Sequence, residues 1–372
     1  MPIVCKYIII KVINVFIIVP SLTNSGPVKG SIALASLLAK KTKVILVVLK
    51  NDGDLKLENE KLYHLLKLYK YGNIFKRLLF LINMITNCKN RPIVISSCFS
   101  PDIFTLFLKK YAITCTSVRG NLFKNYRYTY GIPGIIFAFA HLKIISYFDH
   151  VIVISKEMAK QVNRYIGRKP LIIGNFIDEK NISRYKRNNI NIHKYRIVFV
   201  GTLSIRKCPD MLIDIIEDLQ ALNYDIALDY IGDGPLKKII LTKIKSKKVK
   251  NVTLHGELKD PYTLIGSSDI FVLPSHSEGI SRACLEALFL GVPCVLRHVD
   301  ANHEIIKEGV NGYLFTKDAD LKIAIIKALK LARTSKSKSL LPLHFTADNA
   351  LSKYTNLLEN CFNNKNYTLN FK

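Results

Sequence analysis

Short runs of β-branched and other apolar residues alternate along this chain with longer stretches whose apolar positions recur every three to four residues. Such alternation predicts βαβ units with parallel sheets. In the first block the expected strands are Val12–Val19, Val44–Val48, Ile93–Ser96, Thr114–Val118, Val151–Ile154 and Leu171–Ile173, with helices over Ser31–Lys40, Leu62–Asn83 and Lys156–Tyr165. A polar stretch, Asp178–Tyr195, rich in Asn, Lys and Arg, reads as a linker. The second block gives strands Arg196–Val200, Ile226–Ile231, Val252–His255, Ile270–Leu273 and Pro293–Leu296. Helices over Pro209–Leu222, Pro235–Lys245, Pro261–Ser267, Ser281–Leu290 and Leu321–Arg333 separate and follow them, and Thr346–Phe362 reads as a last amphipathic helix. The expected architecture is α/β: two doubly wound, Rossmann-like domains, 1–175 and 196–343, joined by 176–195 and facing each other across a cleft. Residues 344–372 form a C-terminal helix and tail expected to pack back towards the first domain.

A chain of 372 residues, 49% apolar, can bury two such cores, and that content excludes general disorder. Lys and Arg number 55 against 28 Asp and Glu, a formal charge of +27. Residues 1–180 carry 27 basic and 9 acidic residues (+18), and the remainder 28 and 19 (+9). The excess lies in the first part and suggests a face that meets something anionic. The eight cysteines include no Cys-x-x-Cys pair and no zinc-type spacing, which points to free thiols in a reducing compartment. The apolar opening Ile3–Pro20 carries Lys6, Lys11 and Asn14, and Ile132–Phe148 is broken by Pro133, His141 and Lys143. Neither reads as a membrane span. Asp52-Gly53-Asp54 sits in a loop after a strand and reads as a turn, so no essential metal is expected.

The most informative stretch runs Phe271-Val-Leu-Pro-Ser-His-Ser-Glu278-Gly279-Ile280-Ser-Arg-Ala-Cys-Leu-Glu286-Ala-Leu-Phe-Leu-Gly291-Val-Pro293. A buried strand ends at Pro274, a small polar loop follows, and a helix begins near Ser281. A helix start presents unpaired N–H groups and partial positive charge, which suit phosphate oxygens. Glu278 and Glu286, carboxylates on either side of that start, would accept hydrogen bonds from hydroxyls flanking a phosphate.

The frame Ser-Glu-Gly…Glu-Ala…Gly-x-Pro, with seven residues between its glutamates, resembles the signature of the group 1 (family 4-type) glycosyltransferases, retaining enzymes of the GT-B fold. The resemblance extends over roughly residues 12–360. It implies that Glu278 contacts the donor sugar, Glu286 binds ribose hydroxyls, and the backbone at Gly279 and Ile280 holds the diphosphate. In Gly201-Thr202-Leu-Ser-Ile-Arg206-Lys207-Cys208-Pro209, Lys207 matches the family's phosphate-binding lysine. Thr202 stands where the family has arginine and Cys208 where it has glycine, so Arg206 is expected to supply the second cation. Gly232-Asp-Gly234-Pro235 resembles the family's Gly-x-Gly-Pro turn, and Leu258 falls in the segment that packs on the base. Ser25-Gly26-Pro27-Val28-Lys29-Gly30 resembles its glycine-rich loop, with Gly26 near sugar and phosphate. Arg119 occupies the region where many members have histidine, and it is expected to pair with a phosphate rather than act as a base.

These matches imply transfer of a hexosyl-type sugar from a UDP- or GDP-linked donor to a glycan or lipid-linked acceptor in surface polysaccharide or glycolipid synthesis. Phe123-Lys-Asn-Tyr-Arg-Tyr-Thr-Tyr130, which interleaves aromatics with cations before an apolar run, is expected to touch an anionic membrane surface. That makes the protein a cytoplasmic enzyme peripheral to the inner face of the membrane. Two rival readings are an epimerase on the same fold and a basic nucleic-acid-binding protein. The second leaves the Glu/Gly/Pro frame unexplained, so no nucleic-acid partner is expected.

Overall fold

A computed structural model describes residues 13–363 apart from 54, 56, 58, 59, 186–194 and 335–337. Val12, Asp54 and the second half of the expected linker lie outside the described residues. The chain divides into two compact units, Met1–Asn175 with Ala347–Lys372, and Phe176–Thr346.

The first unit runs β1 (Asn14–Val19), α1 (Gly26–Leu38), β2 (Lys43–Val48), β3 (His64–Lys67), α2 (Ile74–Thr86), β4 (Ile93–Ser96), α3 (Phe99–Leu106) and β5 (Ile113–Val118). It continues with α4 (Leu122–Tyr130), α5 (Gly134–Ser146), β6 (His150–Val153), α6 (Lys156–Ile166) and β7 (Leu171–Ile172). The seven strands lie in the order β3-β2-β1-β4-β5-β6-β7 and every pair is parallel. Their continuous apolar runs follow from burial on both faces. The order reverses direction at β1. Right-handed crossovers therefore put α1 on one face and α2, α3, α5 and α6 on the other. Leu81 and Ile85 of α2 share a core with Phe16, Ile18, Val47 and Phe104, which joins α2 to α3 over the sheet.

Two expectations change here. Leu62–Asn83 is not one helix: its first half forms β3 and a short 3-10 turn, Leu68–Lys70. Only Leu66 of β3 is buried, so this edge strand lacks the apolar run that marks the others. The first helix begins at Gly26 rather than Ser31, because Pro27 supplies a φ already suited to the first turn.

Asp102 of α3, 1% exposed, ties this helical layer to the sheet. It accepts hydrogen bonds from Ser96 Oγ (2.6 Å) and Thr116 Oγ1 (2.9 Å), and its Oδ2 lies 2.8 Å from His141 Nε2 of α5. His141 Nδ1 in turn meets the Tyr126 hydroxyl of α4 at 2.9 Å. Burial raises the Tyr126 phenol well above its ordinary value, so it stays protonated. Replacing Asp102 by alanine strips three buried groups of their acceptor. Urea unfolding is expected to show a loss of about 3–5 kcal/mol, with a lower midpoint.

The second unit runs α7 (Glu179–Ile182), β8 (Tyr195–Val200), α8 (Met211–Ala221), β9 (Ile226–Ile231), α9 (Lys237–Lys247), β10 (Val252–Leu254) and α10 (Tyr262–Gly266). Next come β11 (Ile270–Leu273), α11 (Arg282–Phe289), β12 (Cys294–Arg297), α12 (Asn302–Ile305), β13 (Gly312–Phe315) and α13 (Leu321–Thr334). Six parallel strands take the order β10-β9-β8-β11-β12-β13. The edge strand β13 is absent from the sequence reading, since only its first and last residues are buried. The stretch read as a linker opens with the helical residues of α7, which belong to this unit. The last helix, α14 (Ala347–Asn363), belongs to the first unit and packs beside α1.

Candidate active site

The sheet order of the second unit reverses beside β8, where β8 pairs with both β9 and β11. In an open parallel sheet, the crevice beyond the carboxyl ends of such strands is where ligands bind. The loops after β8 and β11 meet there. His276 N–H donates to the Arg206 carbonyl at 2.8 Å, and the Arg206 guanidinium reaches back to the Ser277 carbonyl.

Glu278 lies at the centre, 8% exposed. Its Oε1 accepts from Ser275 Oγ at 3.0 Å and lies 3.3 Å from Arg206 Nη1 and 3.5 Å from Lys207 Nζ. Burial pushes the carboxyl up. The ammonium of Lys207, the guanidinium of Arg206 and the Ser275 hydroxyl outweigh that and hold it below its ordinary value. Glu278 is therefore ionised at neutral pH. It can accept hydrogen bonds and balance two cations, but it has no proton to give.

That shift fixes the pH response. A carboxyl whose folded value is depressed stabilises the fold above its unfolded value, and that contribution disappears as pH falls through the lower folded value. Wild-type thermal stability should thus drop more steeply than that of Glu278→Gln below about pH 4.5, the ordinary carboxyl value. Melting curves between neutral pH and about 3 check this.

Lys207 owes its position to a glycine. A Cβ on Gly201, whose φ is +151°, would stand 2.6 Å from Lys207 Nζ. Gly201 in turn needs Gly232, where a Cβ would lie 2.1 Å from the Gly201 carbonyl oxygen. Gly232 N–H donates to the Gly256 carbonyl (2.7 Å), and Leu203 N–H to the Asp233 carbonyl (2.9 Å), which stitches the ends of β8, β9 and β10 together. Gly232 and Gly234 thus serve the close approach of two backbones. Cys208 adopts the left-handed conformation at φ +47°, the region in which glycine is at ease. Its thiol, pushed to about 11 by burial, donates to the Ile205 carbonyl at 3.1 Å. Cys208 thus takes, without being glycine, a backbone conformation that glycine favours.

Helix α11 starts from Ser281, whose Oγ accepts from Cys284 N–H at 3.4 Å. Ile280 is buried, Gly279 half-buried and Glu286 half-buried on the helix. Leu258 is 37% exposed, so it is not a core residue, and it stands free to pack on a ligand. Thr202 is exposed beside the cluster. Gly26 and Arg119 belong to the first unit. Gly26 heads α1 with open space where a Cβ would go, and Arg119 Nη1 donates to Asn175 Oδ1 at 3.0 Å. The Arg119 guanidinium lies over Gly30, where a Cβ would meet Nη1 at 2.2 Å.

Three supporting residues were not read from the sequence. Ser275 holds Glu278. Asp300, 22 residues downstream, accepts from the Glu278 N–H at 3.1 Å. Arg297, 6% exposed, donates through Nε to the Pro274 carbonyl (3.1 Å) and through Nη1 to Asp318 (2.6 Å), fixing the loop from behind. Only Ser275 had a sequence signal, its place within the motif.

Residues 179–339 match the sequence profile of the family described as glycosyl transferases group 1. The chain is similar to the O-antigen biosynthesis glycosyltransferase WclY of Escherichia coli, 25% identical over 288 residues that cover 74% of this chain and 80% of that protein. A shorter stretch of 106 residues is 33% identical to the Escherichia coli UDP-Gal:alpha-D-GlcNAc-diphosphoundecaprenol alpha-1,3-galactosyltransferase, covering 28% of this chain and 24% of the other. Among solved structures, Anabaena Alr3699/HepE in complex with UDP and glucose matches with a TM-score of 0.74 at 15% identity, over 93% of this chain and 99% of that one. Sucrose-phosphate synthase from Thermosynechococcus elongatus gives 0.73 at 14% identity, over 94% and 99%. Two parallel α/β units matched in this way define the GT-B fold. Within that fold, residues 179–339 carry the sequence pattern of the group 1 glycosyltransferases.

Proposed function

We propose that the protein transfers a sugar from a nucleotide-sugar donor to an acceptor hydroxyl with retention of configuration. The carrying observation is the buried, ionised Glu278 held between Lys207 and Arg206 at the carboxyl ends of β8 and β11. The donor diphosphate would take the two cations and the amides at Gly279 and Ile280, at the positive end of α11. Glu278 would accept from sugar hydroxyls and Glu286 from the ribose. As the bond from the anomeric carbon to the diphosphate oxygen breaks, its electron pair passes to that oxygen, where the cations stabilise the charge. The acceptor oxygen attacks the same face of the oxocarbenium-like centre and gives its proton to the departing phosphate. Arg119, always protonated, would pair with phosphate.

Relatives support the setting. One is named for O-antigen biosynthesis, another for transfer from UDP-Gal to a diphosphoundecaprenol-linked sugar, and a structural neighbour is described in complex with UDP. We propose surface polysaccharide or glycolipid assembly with a glycan or lipid-linked acceptor, UDP or GDP as the leaving group, and work at an anionic membrane surface. Thermal shifts with a panel of nucleotide sugars on wild type and Glu286→Ala test the reading. One donor should stabilise the wild type and lose its effect in the variant. Equal shifts in both would refute the assigned role of Glu286. Conversion of the donor to an isomer without acceptor would favour the epimerase instead.

A further inference from the structure

No described helix is long and apolar enough to cross a membrane. Yet α5 has apolar residues all round. Ala138, Leu142 and Ile145 are buried, while Ile132 just ahead of the helix and Ile136 within it are 78% and 73% exposed, and Phe139 is 50% exposed. At ~1.5 Å per residue its 13 residues reach about 20 Å, short of the ~30 Å hydrocarbon core. A largely exposed apolar face on a helix too short to span suits a position in the plane of a bilayer interface.

Charge singles out the same layer. Between Glu60 and Asp149 the chain has 13 basic residues and one acidic residue, Asp102, so 13 − 1 = +12 over that stretch. Asp102 is the buried acceptor beneath α5, and it leaves no acidic side chain from this stretch at the surface. Arg127 and Lys143 are exposed on the α4–α5 hairpin, Lys109 and Lys110 follow α3, and Lys76 is exposed on α2. Helix α2 lies on the same face of the sheet and exposes Ile74 and Phe75 by 63% and 71%.

The hairpin is also firmly seated. Tyr126 and His141 anchor it to Asp102, and Phe123 packs on Phe139 with ring centroids 4.9 Å apart. We infer that the outer face of α2 and the α4–α5 hairpin docks on an anionic phospholipid bilayer, with Ile132, Ile136, Ile74 and Phe75 entering the interface and the surrounding cations meeting headgroup phosphates. A protein partner of ordinary composition would not need a face so free of acidic groups, whereas a surface of anionic lipid attracts it along its whole extent. This assigns the surface for the membrane setting proposed above and rests on that setting, but not on the assignment of the donor site.

The test is sedimentation of the full chain with vesicles of phosphatidylcholine alone and with one part phosphatidylglycerol to two of phosphatidylcholine. Binding is expected only to the second, weakening steeply with salt. Ile132→Asn/Ile136→Asn and Ile74→Asn/Phe75→Asn should each lower the partition coefficient at least about tenfold, since each exchanges interfacial apolar groups for polar ones. Arg127→Gln/Lys143→Gln should lower it and flatten the salt dependence. All these side chains are exposed, so the variants should fold, which an unchanged melting temperature verifies. Shifts induced by UDP or GDP should match wild type, which separates a failure of docking from a failure of the donor site. Equal binding to both vesicle types, or full binding by both asparagine variants, would overturn the assignment. So would a dimer in free solution that the same variants abolish without any effect on vesicles.

Discussion

Lys207→Ala should lower turnover about 10²–10³-fold, the usual range for removing one group that stabilises charge developing on the leaving atom. Lys207 Nζ is tightly placed, with its side chain only 13% exposed between Glu278 and the Gly201 backbone. Of the neighbouring loop positions, Thr202 is neutral and Arg206 is already engaged with Glu278 and the Ser277 carbonyl, so neither replaces the lost ammonium. Affinity for the free nucleoside diphosphate should fall as well, by roughly tenfold or more, if the ammonium already meets the phosphates before the bond breaks and holds them more strongly as charge develops. Glu278 would keep Arg206 alone as its cation, so its carboxyl should titrate higher than in wild type. Arg206→Ala should act in the same direction but less strongly, because Arg206 also spends its guanidinium on the Ser277 carbonyl. Steady-state kinetics and calorimetric titration with the diphosphate measure both effects.

Glu278→Gln is expected to separate the same quantities. Glutamine keeps the shape and the bond from Ser275 but removes the charge between two cations. Turnover should fall by about 10²-fold or more, because the sugar loses its ionised acceptor. Diphosphate affinity should stay level or rise, since the incoming phosphates no longer compete with a carboxylate for Lys207 and Arg206. The unliganded protein should lose about 1–3 kcal/mol, less than a fully buried pair would cost because the Arg206 side chain is 28% exposed. Saturating diphosphate should restore most of that loss, a result that melting curves with and without nucleotide report. Loss of both turnover and diphosphate affinity would instead mean that Glu278 shapes the loop rather than the chemistry.

Legibility in the sequence tracked burial. The inner strands stand out because parallel strands covered on both faces are unbroken apolar runs, as in Phe271-Val-Leu. The edge strands β3 and β13 escaped because His64-Leu-Leu-Lys67 and Gly312-Tyr-Leu-Phe315 bury only part of their length. The helix spacing around Leu62 dominated the first of these. In the cluster, Glu278 and Lys207 stand out in the sequence as motif positions, and the fold brings them within 3.5 Å of each other. Asp300 and Arg297 do not stand out, because their contacts with the loop after β11 exist only once β11 and β12 pair. The Asp102–His141–Tyr126 chain is of the same kind, joining residues 39 and 15 positions apart through the stacking of α3, α4 and α5. Cys208 shows the opposite case: a residue that departs from the motif's glycine nevertheless adopts a left-handed conformation in which glycine is at ease.

The most direct measurement is a crystal structure of the protein with a bound nucleoside diphosphate. Density for the terminal phosphate should lie within hydrogen-bonding distance of Lys207 Nζ and of the backbone amides at Gly279 and Ile280, with ribose oxygens near the Glu286 carboxylate. A diphosphate seated anywhere else, with Lys207 still turned onto Glu278, would contradict the role given to this cluster.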